Sequence, residues 1–252
     1  MGDESTETQY EFQPFEDILL ARRDEISQLV GISTLSLRQM EGLGRLTTAL
    51  RKPAAHVEKA HEFEAMAKQQ VETDFPLLHG SATVLMWGAL EAAIRDFVVR
   101  VLNRHPSART LDEFKRVKVR IAEYEMLQGE ERMRYLVGIL ERETAAPLRP
   151  GIARFDCLLS PLGISPVISS NTRRDLTEMA AIRNVIVHRA SVADSRFVEL
   201  CPWFEIKVGE RLSVSSAAFN RYGKAVGEYA ACIIESAEPV LKALADAKPA
   251  AS

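Results

Sequence analysis

Cysteine is scarce in this sequence, and its few copies lie far apart. The 252 residues contain Cys157, Cys201 and Cys232, with no C-x-x-C pair. This spacing excludes a disulfide framework and a cysteine-built zinc site. It is typical of a chain that works in a reducing compartment, and we expect a cytoplasmic protein.

Long apolar runs and a strong charge of one sign are also missing. The longest uncharged, proline-free stretch in the most apolar region covers residues 77–90, too short to span a membrane. The first basic residue, Arg22, follows six acidic residues, the opposite of a secretory or transit peptide. We therefore expect no membrane partner. The net charge of −3 offers no global field to attract nucleic acid, so such a function needs a local site.

Several widespread catalytic motifs are absent as well. The P-loop pattern G-x-x-x-x-G-K-[ST], the zinc-protease pattern H-E-x-x-H and the nucleophile elbow G-x-S-x-G do not occur. His56 and His61 are five residues apart, whereas a spacing of four aligns two zinc ligands on a helix. A zinc hydrolase built on these two residues is an alternative that metal analysis would test. We expect no metal and no cofactor.

Helical periodicity dominates what remains. Apolar residues at spacings of three and four, in a chain that is 46% apolar, predict an all-α helical bundle. Helices are predicted at 14–28, 33–50, 54–72, 77–103, 111–127, 130–143, 152–159, 171–190 and 215–247. The helix at 77–103 is the predicted core.

This pattern divides the chain into segments. Residues 1–13 are predicted to be a disordered acidic tail, and 14–74 a helical extension. Residues 75–247 form the predicted bundle, with a charged insertion at 104–143 on its outside. Residues 203–214 alternate apolar and polar around Gly209, which predicts a β-hairpin with a three-residue loop near the C-terminus.

One constellation of polar residues lies inside a predicted helix. It consists of Arg183 and Asn184, followed by three apolar residues and then His188. Asn184 and His188 are four residues apart and share a helix face, but Arg183 is about 140° away from His188 around the helix. Only the long arginine side chain, or a partner helix, would bring the guanidinium to the same pocket.

The spacing of this pair is not specific by itself. Two other pairs share it: Arg51 with His56, and Arg100 with His105. Pro53 interrupts the first of these, and His105 stands before Pro106 at a predicted helix end.

These residue types suit RNA cleavage without a metal. Histidine can move the proton of a ribose 2′-hydroxyl or of the leaving oxygen near neutral pH. Arginine keeps its charge and can hold phosphate oxygens as negative charge develops. The alternative is structural: Arg183 pairs with an acid, and His188 interacts with a helix end. The candidate acids are Glu91, Asp96 and Glu178.

The stretch 173–189, RRDLTEMAAIRNVIVHR, resembles the signature of the HEPN superfamily, an Arg followed after four to six residues by a His. Residues 86–97, MWGALEAAIRDF, are similar to the first core helix of that family. The resemblance implies an all-α bundle, a homodimer with a composite active site, and a metal-independent endoribonuclease. Toxin and phage-defence systems, with an antitoxin or regulatory protein as a further partner, are the settings it implies.

Carried over to this chain, the resemblance makes Arg183 and His188 catalytic, with Asn184 and Glu91 in support. RNA would be the substrate, and a basic stretch beyond the minimal bundle offers contacts to its backbone. The residues predicted to contact RNA are Arg189, Lys115, Arg116, Lys118 and Arg120. For this stretch a solvated helix face is the alternative. For the whole protein, the alternative function is that of a non-catalytic HEPN-like dimer that binds RNA, nucleotides or proteins.

Overall fold

The computed structural model describes residues 4–144 and 149–246, with side chains described from residue 15 onward, and this part of the chain is all-helical. Its α-helices are α1 (Glu4–Gln39), α2 (Leu43–Ala49), α3 (Ala54–Glu72), α4 (Pro76–Arg104), α5 (Asp112–Lys115), α6 (Ile121–Met126), α7 (Gly129–Glu143), α8 (Ala153–Leu159), α9 (Ser170–Arg189), α10 (Ser195–Leu200) and α11 (Ser216–Asp246). Short 3₁₀ turns lie at Met40–Gly42, Pro106–Thr110 and Ser160–Leu162. The all-α prediction is confirmed.

Helix α4 is the centre of the bundle, as its apolar stripe predicts. Pro76 occupies its first turn, where the missing N–H has no helical partner to lose. The helix packs against α1, α7, α8, α9 and α11. Leu90, Ile94, Val98 and Leu102 are fully buried along it. These spacings of four place one side of α4 against several neighbours at once.

Helix α1 is longer than the sequence pattern indicates. It begins at Glu4, so residues 4–13, predicted as a disordered tail, are helical, while residues 1–3 lie outside the described part of the chain. It also continues through residues 29–32, where a break between two helices was expected. Phe15, Leu19, Ile26 and Val30 are buried on one face and belong to the main core. Packing of that face on α4 and α11 favours a single continuous helix.

The charged insertion is more closely joined to the bundle than predicted. Its helix α7 packs against α4 and buries Met133, Val137 and Leu140. Arg134 pairs with Asp96 of α4 across this contact. The remainder of the predicted helix at 111–127 is only the short α5 and α6. Helix α7 is therefore amphipathic, with one face in the core and one in solvent.

The predicted hairpin at 203–214 is wrong: no β-strand is formed anywhere in residues 4–144 and 149–246. The backbone of this segment pairs with the turn after α9 instead. Leu212 N donates to Ser191 O at 2.7 Å, and Ala193 N donates to Glu210 O at 2.9 Å, around an isolated antiparallel bridge. Val208 is exposed, but the other apolar residues of the segment pack on the bundle, so their pattern reflects burial against helices rather than pairing of two strands.

Candidate active site

Helix α9 carries the predicted catalytic residues near its C-terminal end. It begins at a capping serine, since Ser169 Oγ accepts from Thr172 N at 3.0 Å. It ends before Ala190, whose φ of 50° turns the chain out of the helix. The helix packs against α4, α10 and α11. Its last two turns leave Asn184 and His188 exposed and Arg183 half-buried.

The three side chains meet within a single chain. Arg183 Nη1 donates to Asn184 Oδ1 at 3.1 Å and lies 3.4 Å from His188 Nε2. A guanidinium only donates hydrogen bonds, so His188 Nε2 can take part in this contact only as an acceptor. The long arginine side chain therefore spans the angular gap around the helix. No second subunit is needed to bring these three groups together.

The structural alternative for Arg183 named three acids as possible partners. Each of these acids pairs with a different arginine: Glu91 with Arg154, Asp96 with Arg134, and Glu178 with Arg221. The helix-end role proposed for His188 is taken by backbone groups, because Ala190 N and Ser191 N both donate to Val185 O. None of the three acids named in the structural alternative is therefore the partner of Arg183.

The constellation lies in the wall of a cavity of about 450 Å³. The cavity is bounded by α9, α10, α8 and the segment before α8. Five arginines line it: Arg149, Arg154, Arg183, Arg189 and Arg196. Among the described lining residues Asp194 is the single acid, and it forms an ion pair with Arg189, with Oδ2 and Nε 3.4 Å apart. A chain of net charge −3 thus concentrates positive charge at one site.

Glu91 lies behind the cavity rather than against Arg183. Its Oε1 accepts a hydrogen bond from Trp87 Nε1 at 2.6 Å and a second from Arg154 Nη1. Trp87 and Arg154 both line the cavity. Glu91 therefore contacts Arg154, a cavity residue that no sequence motif indicates, and not Arg183.

The predicted RNA-backbone residues of the insertion do not join this cavity. Lys115 pairs with Asp112 at 3.2 Å, and Arg120 pairs with Glu123 at 2.9 Å, where the hydrogen bond lowers the pKa of the Glu123 carboxyl. Lys115, Arg116, Lys118 and Arg120 are all absent from its lining. Of the five predicted residues, Arg189 alone reaches the site.

A second cavity, of about 680 Å³, lies beside the N-terminal half of α9. At its base is Glu178, which is 2% exposed and accepts from Tyr222 Oη at 2.5 Å, Trp203 Nε1 at 2.6 Å and Arg221 Nη2 at 2.8 Å. Burial and the Glu178 carboxylate raise the pKa of Tyr222. This cluster fastens α9 to α11 and to the segment after α10.

The zinc alternative gains no support from the geometry. His61 Nδ1 lies 3.8 Å from Glu64 Oε2, but nowhere in the described part of the chain do three or more His, Cys, Asp or Glu side chains form a group able to hold a metal ion. None of the helices in residues 4–144 and 149–246 is long and apolar enough to cross a bilayer.

Four further residues line the cavity although no sequence motif indicates them: Trp87, Arg149, Arg154 and Arg196. They come from four separate segments and have no shared local spacing, so no motif joins them. The helical pattern around residues 152–159 was the only available signal for the element that carries Arg154.

Comparison of the chain with protein-family models, with curated proteins and with solved structures found no match. The HEPN resemblance of residues 173–189 and 86–97 thus stays a prediction from the sequence. What the structure adds is the contact of Arg183, Asn184 and His188 in the wall of an arginine-lined cavity.

Proposed function

We propose that this protein is a metal-independent endoribonuclease whose site is the α9 cavity. The observation that carries the proposal is the approach of Arg183 Nη1 to His188 Nε2 among five arginines. Positive charge beside a proton-transfer group is what cleavage of an RNA phosphodiester requires. Asn184, which accepts from Arg183, orients the guanidinium.

In the proposed reaction the ribose 2′-oxygen attacks the neighbouring phosphorus, and the bond to the 5′-oxygen breaks. His188 takes the proton of the 2′-hydroxyl or gives one to the leaving oxygen. Arg183 stabilises the phosphorane-like transition state, since its N–H groups can face two phosphate oxygens. The products are a 2′,3′-cyclic phosphate and a 5′-hydroxyl. Substrate RNA must displace the Arg183–His188 contact, which frees Nε2 for proton transfer.

A homodimer is the second part of the proposal. His188 is the one imidazole among the described residues that line the cavity, whereas the reaction has both an acid and a base step. A second copy of α9 would supply the other imidazole. Leu85 of α4 is 55% exposed and Val187 of α9, directly before His188, is 47% exposed, which provides apolar surface for such an association.

The charge distribution bears on how RNA is selected. The overall charge of −3 does not attract RNA from a distance, and the field of the cavity extends only about 8 Å at physiological salt. We propose that the substrate is structured RNA or RNA delivered by a partner. The toxin or phage-defence setting and an antitoxin or regulatory partner are proposals that rest on the HEPN resemblance alone.

A non-catalytic dimer that binds RNA, nucleotides or proteins is the competing function. The same five arginines favour it, because anion binding needs positive charge and no proton transfer. The two functions differ in what loss of the His188 imidazole does.

The test is RNA cleavage in EDTA by the wild type, His188→Ala and Arg183→Ala, with the oligomeric state followed by light scattering. We expect each variant to lose at least about a hundredfold in rate and to remain dimeric. Arg51→Ala and His56→Ala are matched controls, because this exposed pair has the same spacing and lies outside the cavity. Absence of cleavage by the wild type, together with a dimer weakened by His188→Ala, would establish the binding function instead.

A further inference from the structure

The position of Arg154 in the cavity is defined by contacts with other side chains. It lies on α8, not on α9, and its side chain is 22% exposed. Its guanidinium pairs with Glu91 of α4 and lies 5.8 Å from the centre of the Phe155 ring. Helices α4 and α8 therefore position Arg154 in the same cavity to which α9 contributes Arg183.

The Glu91 carboxylate that pairs with Arg154 is itself fixed in place by a second hydrogen bond. Trp87 donates to the same oxygen of Glu91, at 2.6 Å, and Trp87 is only 1% exposed. The Trp87 and Phe155 rings pack with centroids 5.3 Å apart. Because the indole cannot move without disturbing the core, Glu91 and Arg154 are fixed before any ligand arrives.

This pairing leaves Arg154 able to bind an anion. A guanidinium has five N–H donors, and the contact with Glu91 uses Nη1. Arg183, by contrast, is committed to the phosphate that reacts, because it is the arginine in contact with His188. Arg154 is anchored to a different helix and serves a separate position in the same cavity.

We propose that Arg154 binds a second backbone phosphate, next to the one that is cleaved. The site then accepts an unpaired segment of the substrate RNA, with at least two consecutive phosphates, rather than a lone phosphate group. Glu91 acts as a positioning residue for Arg154, and the RNA contact predicted for residues 115–120 is located at α8 instead. This inference rests on the proposed function for the identity of the ligand, but it is tested by binding.

The probe is a fluorescent 2′-O-methyl hexauridylate, which has no free 2′-hydroxyl and cannot be cleaved. Its dissociation constant is measured by anisotropy over a range of salt concentrations. Arg154→Ala is expected to weaken binding about tenfold, the effect of losing one charged hydrogen-bonding group. It should also reduce the slope of log K against log salt by about 0.7, the value for one phosphate contact on a single strand.

Arg154→Lys should restore the slope but not the full affinity, since an ammonium keeps the charge without the planar donor geometry. Arg51→Ala, an exposed arginine outside the cavity, should change neither quantity. If Arg154→Ala does not fold, the double variant Glu91→Gln with Arg154→Gln replaces the ion pair by a neutral pair and keeps an acceptor for Trp87. It should show the same loss in slope.

The outcomes separate this proposal from the nuclease proposal. An unchanged slope in Arg154→Ala, or in the double variant where it takes the place of Arg154→Ala, overturns the second phosphate site, even if the wild type cleaves RNA. A reduced slope in a protein that cleaves no RNA supports the site and refutes the nuclease. Failure of the wild type to bind hexauridylate overturns the site. In an active protein, Arg154→Ala should raise KM by a larger factor than it lowers kcat.

Discussion

Removal of the Glu178 carboxylate tests the cluster that fastens α9 to the rest of the bundle. In Glu178→Ala, Tyr222 Oη and Trp203 Nε1 lose an acceptor at 2.5 and 2.6 Å. Tyr222 is fully buried, so its hydroxyl loses this partner inside the core. Arg221 keeps Asp175 at 3.2 Å and is half exposed, so its loss of Glu178 adds little.

The magnitude follows from these two donors, of which Tyr222 is buried and Trp203 is half-buried. Each hydrogen bond to a charged group contributes about 1.5–3 kcal/mol, and an orphaned buried donor costs a similar amount. Glu178→Ala should therefore lower the free energy of unfolding by about 3–5 kcal/mol. For a chain of this size the corresponding fall in Tm is about 6–20 °C. Tyr222→Phe removes only one donor and should cost roughly half as much.

Urea unfolding followed by circular dichroism measures the free energy, and calorimetry measures Tm. Glu238→Ala on α11 is the matched control, because this glutamate is exposed and its loss should change stability by no more than about 0.5 kcal/mol. A cost below about 1 kcal/mol for Glu178→Ala would refute the conclusion that the buried carboxylate holds α9 in place.

Two further substitutions test the packing beside the cavity and the dependence of the protein's stability on pH. Gly151→Ala should lower the free energy of unfolding in urea by about 2–4 kcal/mol, because φ is +54° and the new Cβ would lie 2.9 Å from Thr177 Oγ1 and 3.2 Å from Thr177 Cα. The control is Gly138→Ala on α7, where the added Cβ meets open space and should be neutral or stabilising. Equal effects of the two substitutions would contradict this prediction. Burial and nearby Glu178 raise the pKa of the Cys201 thiol to about 12. The contribution of the neutral thiol to folding stability is therefore fully present below about pH 9 and is lost as the pH rises toward 12. Cys201→Ala should lessen the alkaline loss of stability by up to about 1.4 kcal/mol per pH unit, and identical pH profiles would disprove this.

The helices that matter most were predictable because their signals are local. Apolar spacing predicted a core helix at 77–103, and α4 is Pro76–Arg104. The predicted helix at 171–190 agrees with α9, Ser170–Arg189. Inside α9 the helical repeat already placed Asn184 and His188 on one face, so part of the site could be inferred without any tertiary contact.

Local signals failed where the partner of a segment is distant or ambiguous. Residues 203–214 alternate like strands, but their backbone pairs with the turn at 191–193 and most of their apolar side chains pack on helices. A period of two reports which residues are buried, not what buries them. In the same way, the continuous α1 depends on its contact with α4 and α11, which no pattern within residues 4–39 reveals.

The sequence by itself therefore determined the helical class, the central helix and the polar end of α9, because each depends on spacing within one helix. Only the tertiary structure decided that Glu91 serves Arg154 rather than Arg183, and that five arginines share one cavity. These residues are separated by up to about a hundred positions along the chain. Their convergence follows from how α4, α8, α9 and α10 pack, and long-range packing leaves no period in the sequence.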